Sequence, residues 1–176
     1  MKHLKQILTI FTVALFIFSC NTPERSVGMT AWEGVEDMKW HIGTQSAVDI
    51  AKAMDAAWQA RNYDEMRNYI SDTATITSAN GYTFESVDAF IERRKSNDSV
   101  WDSNGSTFEW SFTNLFSVDL DPTRGGEHVH VNYSGKYEDK NGADTWNAIN
   151  RYYVIDGKVV WWDTFAQEII DTETEQ

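Results

Sequence analysis

Cysteine and proline are almost missing from this chain: its 176 residues include one Cys and two Pro. With Cys20 alone, no internal disulfide can form, so the fold must be held by its core. The prolines, Pro23 and Pro122, both fall in polar stretches and interrupt no helix or strand pattern. Basic residues are scarce, with Lys and Arg together numbering 15 against 27 acidic residues, and the formal net charge is −12. The longest basic run, Arg93-Arg94-Lys95, reads as a solvated helix end. A nucleic-acid partner is therefore excluded, because phosphate binding needs clustered cations. There is no internal repeat, no low-complexity tract and no Gly-x-Ser-x-Gly nucleophile elbow. Gly125-Gly126 lacks the strand-to-helix setting of a phosphate loop.

A long apolar run occurs once, from Ile7 to Phe18, and is too short to span a bilayer as a stable helix. Preceded by Lys2 and Lys5 and followed by Ser19-Cys20, it reads as a secretory signal over 1–19. Ile17-Phe18-Ser19-Cys20 resembles a bacterial lipobox, with the aliphatic and the serine in place and Phe18 bulkier than usual. That resemblance implies lipidation of Cys20, contact with the bilayer, and a place in the bacterial cell envelope on the periplasmic or outer-surface side. Losing the signal removes two lysines and leaves the mature chain more acidic still. Residues 20–45 read as tether and lead-in, 46–168 as one domain, and 169–176 as an acidic tail.

What the chain has in quantity is aromatic rings: eight Trp, seven Tyr and nine Phe, enough to line a wide cavity. In the lead-in, Trp32, Val35 and Met38 at three-residue spacing predict a helical turn docking on the domain. Val48, Ala51, Met54, Ala57 and Trp58 recur at helical spacing, with Thr44 or Ser46 as cap. A second short helix is expected from Asp64 through Met66, Tyr69 and Ile70, then a strand over 74–78 closed by Asn80-Gly81. A third helix runs from Ser86 to about Lys95, followed by a polar loop over 97–106 holding Trp101. Beyond it the period changes to two. Four long antiparallel strands follow, with a bend near Asn114-Leu115 and a tight hairpin at Asp156-Gly157. Helices first and strands after imply an α+β fold with the helices packed on one face of a curved sheet.

The element order, Trp58-x-Ala60-x-Asn62-x-Asp64, and Tyr153-x-x-Asp156-Gly157-Lys158-Val159 resemble the nuclear transport factor 2-like superfamily, and within it the SnoaL-like proteins. The resemblance covers roughly 46–168. It implies a cone-shaped, mostly antiparallel sheet wrapped around three N-terminal helices, with a cavity at one end and, in many members, dimerisation through the outer face. The cavity hosts isomerases, dehydratases, hydrolases, cyclases and plain binding domains, so fold alone leaves activity open.

Family enzymes place acids in an apolar cone, where desolvation raises a carboxylate's pKa. Asp163 is the candidate catalytic residue. Relatives resembling limonene epoxide hydrolase carry their acid at the position of Thr164, one residue later. Either a bulge corrects the register, or Asp163 points away from the cavity. Arg151 and Asn147 are candidate ligand contacts with Trp162, Tyr152 and Trp110; if Arg151 lines the cone it needs an acidic partner or an anionic ligand. His128 and His130 have metal-ligand spacing but no third ligand, since Glu127 falls on the other face; no metal or cofactor is expected. Asp72 lies near where isomerase-like members hold their base, but reads better as a helix-end turn residue. Three functions stay open. One is an envelope lipoprotein binding a small, largely apolar ligand, with or without catalysis. The others are an isomerase, hydrolase or dehydratase, and an interaction or glycan module anchored by Trp32, Trp40 and Trp101.

Overall fold

The computed structural model describes residues 26–169; the expected signal, Cys20 and the tail from residue 170 onward lie outside the described residues. Helix α1 (Gln45–Gln59) begins where Thr44 turns extended and its hydroxyl accepts from the Ala47 N–H at 3.3 Å. That cap satisfies one of the donors every helix start leaves open. The Glu127 carboxylate accepts from the Thr44 N–H, the Thr44 hydroxyl and the Ser117 hydroxyl, pinning the helix start to the sheet. Ala47, Ala51, Met54 and Ala57 form the buried stripe. Helix α2 (Tyr63–Asn68) is capped by Asn62, not Asp64, because the Asn62 side chain accepts from the Glu65 N–H at 3.2 Å.

Strand β2 (Ile70–Thr77) folds back on β3 (Thr83–Phe84), and α3 (Val87–Asn104) follows, capped by Ser86. Helix α3 extends well past Lys95, through the segment expected to be a polar loop. Its last turns have no apolar stripe and are held by tertiary contacts instead. Tyr63 donates its hydroxyl to Asp98 at 2.5 Å, Arg61 bridges Asp98 and Asp102, and Trp101 stacks on Phe108 at 4.8 Å. Gly105, at φ 72°, supplies the left-handed residue that ends it.

The meander is β4 (Thr107–Asp119), β5 (Glu127–Asp139), β6 (Gly142–Ile155) and β7 (Lys158–Ile169), all antiparallel neighbours. The β4–β5 register shifts between Phe112 and Asn114, and β6 turns into β7 through Asp156 and Gly157, both at positive φ. Strand β1 (His41–Ile42) adds to β4, and β2 runs parallel to β7, giving the order β1-β4-β5-β6-β7-β2-β3. The curved sheet and its helices form the expected α+β architecture, with Val129, Val131, Tyr152, Val159 and Trp162 meeting Met54, Met66 and Phe90 in the core. The lead-in forms turns and one bridge, Val27 to Trp40, rather than a helical turn. Gly34 and Asp37 sit at φ 83° and 62°, which a right-handed helix cannot accommodate.

Candidate ligand-binding cavity

Alternation along a strand decides which residues can reach the helices. On β6, Ala148, Asn150, Tyr152 and Val154 point inward; on β7, Trp162, Thr164 and Ala166 face the same space. From the helices, Trp58 on α1 and Phe90 and Arg94 on α3 close over it. The cavity, open to solvent on one side, measures about 610 Å³, a size that takes a small molecule. Its walls are rings that brace one another. Trp58 lies 5.2 Å from Trp110 and 5.5 Å from Trp162, Phe90 lies 4.9 Å from Trp162, and Trp146 stacks on Phe108 at 5.1 Å. Among the described residues no carboxylate and no imidazole lines this space.

Gly135 on β5 makes part of that wall possible. A methyl group there would sit 2.2 Å from the Trp146 ring and 2.6 Å from the Glu109 carbonyl. The missing side chain is the room into which the Trp146 indole folds. The indole N–H of Trp146 is buried without a partner, as is the Asn150 side-chain oxygen. Both residues line the cavity.

Two arginines line the site, Arg93 exposed and Arg94 half-buried, and Arg94 is the one packed among the rings. Its guanidinium lies 4.9 Å from the Phe90 ring centre, 5.6 Å from Trp58 and 5.9 Å from Phe84. It makes no ion pair or hydrogen bond among the described residues, and its Nε is buried unpartnered. Burial lowers its pKa from the usual arginine value.

Behind the wall lies an acid. Asp55, 1% exposed, accepts from Trp110 Nε1 at 2.9 Å and from Gln59 Nε2 at 2.8 Å. Burial raises its pKa, and these donors partly offset the rise. The Tyr133 and Tyr152 hydroxyls are 3.3 Å apart, and Asn150 Nδ2 donates to Tyr152 at 2.9 Å.

Of the residues singled out in the sequence, Trp110 and Trp162 line the cavity, and Tyr152 is fully buried directly behind it. Asp163 and Arg151 are on the opposite face. They pair there as cross-strand neighbours, with Arg151 also 4.7 Å from the Phe165 ring and 5.3 Å from Trp161. No bulge restores Asp163 to the cavity; the one shift between β6 and β7 lies nearer the turn, at Tyr153/Val154. Thr164 is the inward residue instead, accepting from Trp162 Nε1 at 2.9 Å. Asn147 borders a separate depression on the outer face with Ile149 and Phe165. Asp72 is exposed and paired with Arg67 at 3.0 Å.

His128 and His130 point outward among rings: His128 against Tyr153, Trp40 and Trp32, and His130 stacked on Phe116 at 5.0 Å. Among the described residues no three potential metal ligands come together. Trp32 and Trp40 touch each other there, whereas Trp101 stacks on Phe108 beside the cavity, so the three share no surface. Sequence reasoning passed over Asp55, Arg94 and Asn150. The first two carried a signal: Asp55 follows Met54 on a buried helix stripe, and Arg94 lies one turn beyond Phe90. A charge on an apolar stripe marks a buried polar group.

No protein-family model and no curated protein matches this sequence. Solved structures match in shape. An LEH-like epoxide hydrolase of M. tuberculosis aligns at TM-score 0.55 and 12% identity over 70% of this chain and 84% of that one. The beta subunit of benzoate 1,2-dioxygenase from Burkholderia mallei aligns at TM-score 0.57 and 9% identity, over 72% and 91%. An NTF2-like protein from Burkholderia xenovorans LB400 gives 0.52 and 15%, over 72% and 92%. At such identities the likeness establishes fold. The class is an α+β curved sheet enclosing helices, and within that class it is the nuclear transport factor 2-like, or cystatin-like, fold.

Proposed function

We propose that this chain is an envelope lipoprotein whose cavity binds a small, largely apolar molecule without acting on it chemically. The observation that carries this reading is the composition of the wall: rings, hydroxyls, amides, Arg93 and Arg94, with no carboxylate or imidazole among the described lining residues. General acid-base chemistry needs a titrating group within hydrogen-bond reach of the substrate. Thr164 holds the inward position on the last strand, and Asp55 is screened by Trp110 and Tyr133. The test is titration of the full chain with a neutral bicyclic probe, 2-naphthalenemethanol, followed by calorimetry. Saturable one-site binding that weakens in Trp162→Ala supports the reading; a folded protein that takes up no probe defeats it.

One observation favours a second reading, an isomerase, hydrolase or dehydratase. The Asp55 carboxyl, its pKa raised by burial, acts electrostatically on Tyr133, which does line the cavity. Turnover of an epoxide- or ketone-bearing bicyclic probe that disappears in Tyr133→Phe would replace the first reading with this one. The membrane tether rests on Cys20: labelled palmitate should enter the wild type in a bacterial host and not Cys20→Ser. The exposed apolar residues Phe116, Ile149 and Phe165 on the outer face support a homodimer through that face. Sedimentation should then show a dimer that Phe165→Glu dissociates.

A further inference from the structure

Arg94 is a half-buried cation that makes no hydrogen bond or ion pair among the described residues, although the Asp98 charge acts on it from one turn away. Removing a guanidinium from water is unfavourable unless an anion or a full set of acceptors meets it. Asp98, one turn further along α3, is already engaged by Arg61 and the Tyr63 hydroxyl. The rings of Phe90, Trp58 and Phe84 hold the cation, but they offer no oxygen to its N–H groups. Those donors form the planar fork that fits a carboxylate, and the residue that carries them lines the cavity. Two more buried polar atoms are unpartnered on the sheet side of the same space, the Trp146 N–H and the Asn150 side-chain oxygen.

Resting on the binding reading above, we infer that the ligand is a hydrophobic carboxylic acid: a ring-bearing body held among the tryptophans, its carboxylate received by Arg94. The Arg94 guanidinium balances a single negative charge; Arg93 also lines the cavity, but its side chain is exposed to solvent. A hydroxyl or carbonyl elsewhere on the ligand would meet Trp146 Nε1 or Asn150 Oδ1. The chain as a whole is strongly acidic and repels anions at long range. A preference for an acid must therefore arise locally.

The test compares 2-naphthoate with 2-naphthalenemethanol, which match in shape and differ in charge, on the full chain by calorimetry. The wild type should bind the acid about ten- to a hundredfold more tightly than the alcohol. In Arg94→Met that preference should vanish, the two probes binding with equal affinity, and Arg94→Lys should restore part of it. Naphthoate should raise the melting temperature of the wild type and not of Arg94→Met. Equal affinities in the wild type would overturn the inference while leaving a binding cavity intact. An acid preference that survives Arg94→Met would also overturn it, since the carboxylate would then be held elsewhere. Uptake of neither probe defeats this inference and the binding reading together.

Discussion

Trp110 donates its indole N–H to Asp55 at 2.9 Å, so a wall of the cavity is fastened to an acid that the cavity does not touch. Gln59 Nε2 is the second donor, at 2.8 Å. In Asp55→Ala both lose their acceptor inside the core, and the fold should lose about 3 kcal/mol in urea unfolding. The wall should loosen with it, weakening uptake of naphthalenemethanol. The sign of the pH effect follows from the raised pKa. The folded chain keeps a proton that the unfolded chain has released, so this group makes stability fall as pH rises from the ordinary carboxylate range toward the raised value. That decline should be absent from Asp55→Asn.

The Arg151–Asp163 pair makes the opposite prediction. It lies on the far side of the sheet from the cavity and is partly open to solvent. Asp163→Asn should leave probe affinity within about twofold and stability within about 1 kcal/mol of wild type. A large loss of binding would mean that the outer face communicates with the site.

Gly135→Ala should act on the cavity through Trp146. The new methyl has no room beside the indole or the Glu109 carbonyl, so the ring must swing or the strands must part. Overpacking of this kind costs roughly 1–3 kcal/mol. Chemical denaturation would register that loss, and a shift in tryptophan emission would register the displaced ring. A protein as stable as wild type, with unchanged emission, would contradict the packing described.

His128 should make the fold sensitive to mild acid. Its pKa is lowered to about 4, first by burial and then by the charges of His130 and Arg151. Between the ordinary histidine value and about 4 the unfolded chain takes up a proton that the folded chain refuses, so stability declines as pH falls through that window. His128→Phe, which keeps a ring against Trp32, Trp40 and Tyr153, should lose less stability on acidification, by roughly 2 kcal/mol at pH 4. Thermal melts of the two proteins at neutral and acid pH decide it.

The sheet could be read from the chain because its strands alternate over long runs and turn at a dipeptide with one backbone meaning. Asp156-Gly157 and the β5 run of Val129, Val131 and Tyr133 lie as the pattern implies. Periodicity could not choose the inner face of β6 and β7, because adjacent rings occupy both faces: Tyr152 beside Tyr153, and Trp161 beside Trp162. The choice is made across strands, where Arg151 meets Asp163 on one side and Tyr152 meets Trp162 on the other. The end of α3 was invisible for a different reason. Its turns are polar, and the partners that hold them, Arg61, Tyr63 and Phe108, belong to other elements. Asp55 and Arg94 went unread because a helix pattern built on apolar spacing assigns a charge to solvent unless a partner is known.

The parallel pairing of β2 with β7 also sets an order of events in folding. Ile76 and Trp162 are neighbours in the sheet although most of the domain separates them in the chain. The strand that helps form the rim of the cavity must wait, unpaired on that side, until the last strand is available. Such long-range pairing is slow to form and leaves apolar surface uncovered meanwhile. A chain cut before Trp162 would thus lack the ring at the centre of its core and the strand that closes it. Completion of the fold waits for β7, the last strand of this sheet in chain order.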